Sequence, residues 1–87
     1  MTLREAVLDA LADDGESIVQ ISEYLQHLAI SATKEEITEL LNTLFSEKKI
    51  YVAFPRNLNI QSISSELIDY LWFELTDAGK SEWEQIE

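Results

Sequence analysis

The sequence predicts an α+β fold, because apolar residues recur at helical spacing through the first two thirds of the chain and at strand spacing in the last third. The 87 residues leave room for one small hydrophobic core, so we expect a single domain over residues 1–87. The composition is 46% hydrophobic and 26% charged, with two Gly and one Pro, which excludes the disordered and linker-rich classes.

The first helix is predicted at about residues 3–12. Thr2 and Glu5 have the spacing of a capping box, and the apolar residues that follow lie on one helical face. The Asp-Asp-Gly segment at 13–15 ends this helix, because Asp favours turn hydrogen bonds and Gly supplies positive φ. The segment lacks the alternating oxygen ligands of an EF-hand, so we interpret it as a turn rather than a calcium site.

A very short strand is expected at residues 17–19, followed by a short helix at about residues 20–28. His27 lies in the last turn of this helix, where a partly charged imidazole favours the negative end of the helix dipole. Because the chain has no second histidine, we expect a solvated surface role for His27 rather than a metal or catalytic role.

The third helix, at about residues 34–47, has the clearest pattern. Thr33 and Glu36 form a second capping box. Lys48 and Lys49 suit the negative pole at its end, which favours a structural role over a nucleic-acid patch. Its apolar positions follow the i, i+3, i+4, i+7, i+8 spacing without exception: Ile37, Leu40, Leu41, Leu44 and Phe45.

The last third of the chain predicts two strands and a helix. Residues 50–54 are β-branched and aromatic and end at Pro55, which cannot donate to a β-ladder. Residues 71–75 form the second strand, and the two should pair as an antiparallel hairpin. Thr76 caps a final helix at about residues 77–86.

The sixteen residues 55–70 between these strands are too many for an ordinary hairpin turn. Ser64 or Ser65 is expected to cap a short helix through residues 66–69, although the same residues have a pattern that also fits an extension of the second strand. The earlier half is too apolar for a solvated tip, so we expect three of its side chains to pack on the domain or on a partner: Leu58, Ile60 and Ile63.

The order of these elements is that of a winged helix-turn-helix domain, and the likeness covers nearly the whole chain. The segment 72–80, Trp-Phe-Glu-Leu-Thr-Asp-Ala-Gly-Lys, resembles the "L-T-x-x-G" junction after the wing in multiple-antibiotic-resistance-repressor-like transcription regulators. Leu75, Thr76 and Gly79 are the matching residues. The resemblance implies three N-terminal helices, a two- or three-stranded antiparallel wing sheet with an extended wing at 55–70, and a C-terminal helix.

In DNA-binding members of that family the third helix enters the major groove. Here the chain departs from the pattern, since no Arg or Lys occurs between Glu35 and Glu47 and the formal net charge of −11 repels phosphate backbones. We therefore expect a solvated acidic helix face and no nucleic-acid binding by the isolated chain. The resemblance implies this candidate recognition-helix face: Glu35, Thr38, Glu39, Asn42 and Ser46.

The residue content argues against an enzyme. With no cysteine, one histidine and two glycines, the chain lacks the residues for a nucleophilic relay, a thiolate zinc site or a phosphate-binding loop. We expect no catalytic residues, no metal and no cofactor. The apolar runs are too short to span a membrane. Acidic Glu5 and Asp9 stand where a signal peptide needs an uncharged run, so a cytoplasmic protein is expected.

The leading hypothesis is a protein-interaction module or adaptor that binds another protein or a second copy of itself. Core packing of the same apolar residues is the competing interpretation, which their exposed area decides. The candidate partner surface consists of Leu58, Ile60, Ile63, Tyr70 and Trp72.

Two alternatives remain open at this point. One is a transcription regulator that binds DNA as a dimer or with a basic partner. The other is an acidic inhibitor that occupies a cationic nucleic-acid-binding cleft. Regulation gains support if the basic residues of the second half converge in the fold: Lys48, Lys49, Arg56 and Lys80.

Overall fold

The computed structural model describes residues 1–86 and confirms the α+β class, with four α-helices and a three-stranded antiparallel sheet in that part of the chain. The elements in chain order are α1 (Leu3–Ala10), β1 (Glu16–Ser17), α2 (Ile18–His27), α3 (Lys34–Ser46), β2 (Ile50–Phe54), a 3₁₀ helix (Ile68–Tyr70), β3 (Trp72–Leu75) and α4 (Asp77–Glu84).

Three predicted helix starts are confirmed by their caps. The Thr2 and Thr33 hydroxyls accept the backbone N–H groups of Glu5 and Glu36, each at 3.1 Å. The Thr76 hydroxyl likewise accepts the Gly79 N–H at 3.1 Å. Each cap satisfies a donor that the helix itself leaves unpaired, which typically stabilises a helix by about 1 kcal/mol.

The predicted very short strand exists but is shifted, because β1 covers Glu16–Ser17 and helix α2 begins at Ile18 instead of about residue 20. Ser17 occupies the N-cap position, and its backbone N–H donates to the Gln20 side chain at 3.0 Å. This capping contact favours helix for residues 18 and 19 despite their β-branched side chains.

The predicted positive φ at Gly15 is wrong. The left-handed region is occupied instead by Ala29 (φ 59°), Lys48 (φ 61°) and Asn57 (φ 61°). The first two follow the C-terminal ends of α2 and α3. After α3, the Lys49 N–H closes the helix end by donating to the Leu44 carbonyl at 2.8 Å, the bond of a Schellman motif.

Strand β3 is the centre of the sheet, which has the order β1-β3-β2. The predicted hairpin is confirmed, with Ile50 opposite Leu75 and Val52 opposite Phe73. The register shifts after Val52, so that Phe54 rather than Ala53 faces Trp72. Ala53 is thus an extra residue in β2 and turns Phe54 to the outward face of the sheet.

The core lies between the helices and the inner face of the sheet. Buried apolar side chains come from α1, α2, α3, β2 and β3 and form one cluster. Helix α4 packs very close to the residue before β2. A Cβ atom on Gly79 would lie only 2.0 Å from the Lys49 carbonyl oxygen. Position 79 therefore has no room for a side chain, which explains the glycine there.

The 55–70 segment ends in the 3₁₀ helix, which confirms a short helix in place of an extended second strand. Ser64 starts this turn, since its hydroxyl accepts the Leu67 N–H at 3.1 Å and its carbonyl accepts the Ile68 N–H at 3.0 Å. No helix within residues 1–86 has the length and hydropathy required to cross a membrane.

Candidate functional site

The outward face of α3 carries the five residues of the predicted recognition-helix face. Glu35 and Glu39 are exposed to solvent and bring only negative charge. Two hydroxyls are used within the helix, because Thr38 donates to the Lys34 carbonyl at 2.7 Å and Ser46 donates to the Thr43 carbonyl at 3.0 Å.

Asn42, the central residue of that face, is held by the 55–70 segment. Its Oδ1 accepts the Ile63 N–H at 2.7 Å, and its Nδ2 donates to the Ile63 carbonyl at 2.7 Å. The amide thereby pairs with the backbone as a neighbouring strand would, and it also reaches the Thr38 carbonyl at 3.3 Å. Asn42 thus holds the segment against α3 and is partly buried, which differs from the solvated helix face that the sequence predicts.

The 55–70 segment therefore lies against α3. Ile63 is only 3% exposed and belongs to the core, so its prediction as part of a partner surface is wrong. Farther along, Lys34 Nζ lies 2.9 Å from Asp69 Oδ1, and Ser65 lines a depression together with Glu35, Thr38 and Glu39.

Half of the basic residues are engaged in ion pairs within residues 1–86. Arg4 Nε lies 2.6 Å from Glu82 Oε2, Arg4 Nη2 lies 2.6 Å from Glu47 Oε1, and Lys49 Nζ lies 3.3 Å from Glu82 Oε1. Hydrogen bonds from Arg4, followed by the contact of Lys49, lower the pKa of Glu82 to about 2. The same bonds raise the pKa of Arg4.

The basic residues of the second half lie in more than one place in the fold. Arg56 lines a groove beside Trp72, whereas Lys48 lines a different groove beside Phe45. Lys49 is paired with Glu82, as described above. Lys80 directly follows Gly79, which packs on the Lys49 carbonyl, so Lys80 lies near the turn that carries Lys48 and Lys49, and Arg56 is the residue that lies apart.

The outward side of β2 and β3 has a different character, since it exposes three large aromatic side chains. Tyr51 is 44% exposed, Phe54 60% and Trp72 39%, and we call these three residues the aromatic sheet face. Phe54 and Trp72 are cross-strand partners, and Tyr51 faces Glu74 in the same ladder. Burial, followed by the charge of Glu74, raises the pKa of the Tyr51 hydroxyl.

An open groove of about 480 Å³ runs beside the aromatic sheet face. Gly15 forms part of its wall and leaves room for the Glu74 side chain, whose Cγ would lie 3.2 Å from a Cβ at position 15. The lining consists of Asp14, Gly15, Ala53, Phe54, Arg56, Trp72 and Glu74.

The predicted partner surface is only partly brought together. Trp72 lies in this groove, whereas Ile60 is half-buried and lines the separate groove beside Lys48. Leu58 and Tyr70 are 38% and 71% exposed, but neither lines the groove at Trp72.

Sequence reasoning missed Tyr51 and Phe54 as exposed site residues. Because side chains alternate along a strand, Tyr51 points away from the core when Ile50 points into it, so the exposure of Tyr51 was predictable. Phe54 was not, because uninterrupted alternation would put it on the inner side with Ile50, and only the extra residue Ala53 reverses it.

Away from these surfaces, Asp9 connects three helices. Asp9 accepts hydrogen bonds from the Tyr24 hydroxyl and from Trp83 Nε1, the latter at 2.9 Å, and so ties α1 to α2 and α4. His27 is exposed. Within residues 1–86, no three His, Asp or Glu side chains are grouped as a metal site would require.

Comparison with protein-family models, with curated proteins and with solved structures finds no match to this chain.

Proposed function

We propose that this chain is a winged-helix domain that acts as a non-enzymatic protein-interaction module. The element order and the sheet order support the winged-helix assignment, with the two long strands flanking the 55–70 segment as the wing. The L-T-x-x-G segment between β3 and α4 also supports it, because Thr76 caps α4 and Gly79 allows α4 to contact the Lys49 carbonyl.

The observation that carries the functional proposal is the pair of hydrogen bonds between Asn42 and Ile63. A recognition helix needs free polar side chains to meet base edges in the major groove. Here the central polar side chain of α3 is bonded to the wing, and the flanking Glu35 and Glu39 repel phosphate. The face that reads DNA in related folds is used instead to hold the wing.

Charge then favours a basic protein as the partner. The chain has 17 acidic and six basic residues, and two copies of such a surface repel each other at low salt. A cationic protein surface is attracted by the same field, which raises its association rate. The aromatic sheet face offers the apolar contact that such an interface needs, since Tyr, Trp and Phe are enriched in interface centres.

The first test is electrophoresis of the purified chain with mixed duplex DNA at low salt. We expect no retardation at micromolar protein, because the formal net charge of −11 and the exposed Glu35 and Glu39 of α3 repel phosphate. Sequence-specific retardation by the chain alone would overturn the proposal in favour of a transcription regulator.

The second test compares partners recovered from the source cell by the wild type and by Phe54→Ser. A partner bound by the wild type is purified, and its affinity for both proteins is measured by calorimetry at low and high salt. We expect the partner to be basic and its affinity to fall as salt is raised. Phe54→Ser should bind it about tenfold or more weakly, which is the loss typical of an interface hot spot. A partner that binds both proteins equally would contradict the proposal.

A further inference from the structure

We infer that the groove beside the aromatic sheet face binds an arginine side chain from a basic segment of the partner protein. This inference rests on the proposed function and deepens it, because it names the chemical group that the surface recognises. It follows from the aromatic pair and the unequal charges that line one groove.

The aromatic pair supplies the stacking surface. Phe54 and Trp72 are directly opposite on neighbouring strands, are 60% and 39% exposed, and line the same groove. A guanidinium group is planar and weakly hydrated, and it stacks on aromatic faces, most favourably on Trp. An arginine side chain also brings an apolar stem that fits against Ala53 in the wall of the groove.

The charges select a cation over an anion. Asp14 and Glu74 bring two carboxylates to the groove, and Arg56 brings one positive charge. The groove therefore has a net negative charge within a chain of formal charge −11. An incoming guanidinium gains from both the local and the overall field, whereas an acidic side chain meets repulsion except at Arg56.

The role of Arg56 distinguishes this inference from a simple apolar patch. Within residues 1–86, Arg56 has no carboxylate within ion-pair distance, and it lies where it repels an incoming cation. Removing its charge should strengthen arginine binding. If the groove took an acidic segment instead, Arg56 would be the anchor and its removal would weaken binding.

The direct test uses nuclear magnetic resonance with the peptide acetyl-Gly-Ser-Arg-Ser-Gly-amide as the probe. The chain contains two Trp residues, and the Trp83 indole is bonded to Asp9, so it serves as an internal control. We expect the arginine peptide to shift the Trp72 indole resonance and leave that of Trp83 unchanged. The matched peptide with uncharged citrulline in place of arginine should give less than half of that shift.

Two variants complete the test with the same probe. Glu74→Gln should weaken arginine binding about threefold, the scale of an exposed ion pair, and Arg56→Gln should strengthen it by a similar factor. The Trp83 resonance and the amide spectrum report whether each variant keeps the fold. Equal binding of the arginine and citrulline peptides, shifts confined to α3, or weaker binding by Arg56→Gln would each overturn the inference.

Failure of this inference is separable from failure of the proposed function. If the purified partner still requires Phe54 but no arginine peptide shifts Trp72, the interaction module stands and arginine recognition is rejected. Sedimentation of the chain without peptide covers the remaining occupant, a second copy. A dimer that Phe54→Ser dissociates would reject arginine recognition, and we expect a monomer because of charge repulsion.

Discussion

The outward face of α3 and the aromatic sheet face are both exposed parts of one small fold, but they differ in what their side chains already contact. On α3 Asn42 is bonded to the Ile63 backbone and Lys34 to Asp69, while Glu35 and Glu39 are exposed and bring only negative charge. On the sheet, Phe54 and Trp72 remain open to solvent. The comparison teaches that the 55–70 segment engages the α3 face through Asn42 and leaves large aromatic side chains of the sheet exposed.

The largest expected effect on stability comes from truncating an inward-facing side chain of the sheet, compared with truncating an outward-facing one. Phe73 is fully buried, so Phe73→Ala should lower the free energy of unfolding by about 3–5 kcal/mol. Phe54→Ala removes a side chain that is 60% exposed and should lower it by less than about 1 kcal/mol. Urea denaturation of both variants checks this, and equal losses would contradict the assignment of the two faces.

The contact that holds the 55–70 segment against α3 is tested next by Asn42→Ala. The change leaves the Ile63 N–H and carbonyl without their partner, so we expect a loss of about 2 kcal/mol in unfolding free energy and faster proteolysis within 55–70. The neighbouring Thr43→Ala removes only a bond to the helix's own Glu39 carbonyl and serves as the control. A loss no larger than that of Thr43→Ala would show that this contact contributes nothing.

The ion pairs of Glu82 with Arg4 and Lys49 predict that the free energy of unfolding depends on pH. Because the folded pKa of Glu82 is lowered to about 2, its stabilising contribution is present above the ordinary glutamate pKa and is lost as pH falls from about 4.5 towards 2. The pair is partly exposed, so we expect no more than about 1 kcal/mol from it. Thermal unfolding of Glu82→Gln should accordingly be less sensitive to pH across this window than that of the wild type.

The smallest expected effect concerns the acidic surface of α3. Glu35 and Glu39 are a like-charge i, i+4 pair, so Glu39→Gln should raise the free energy of unfolding by a few tenths of a kcal/mol. It should not produce retardation of duplex DNA, because Asn42 remains bonded to Ile63. Retardation by this single variant would mean that charge alone keeps α3 from DNA.

The helices and the hairpin were predictable because they depend on local patterns. Capping boxes at Thr2 and Thr33 and the apolar spacing of α3 are features of consecutive residues, and their structural counterparts are found where expected. The start of α2 was misplaced because the β-branched Ile18 favours strand locally, whereas Ser17 and Gln20 cap a helix there.

The candidate site was less predictable because it depends on contacts between distant residues. The bond from Asn42 to Ile63 joins positions 21 residues apart, so spacing along α3 gave no indication of it. The outward position of Phe54 depends on one extra residue in β2, which alternation alone does not reveal. By contrast, Trp72 lies on the face opposite Phe73, as the alternation of a regular strand requires.

The most direct measurement is the affinity of a purified basic partner for two variants side by side, Phe54→Ala on the sheet and Glu39→Ala on α3. If the partner binds at the aromatic sheet face, Phe54→Ala should lower the affinity about tenfold or more. Glu39→Ala should change the affinity by no more than about twofold. A large loss for Glu39→Ala with Phe54→Ala unchanged would place the interaction on α3 and contradict the account.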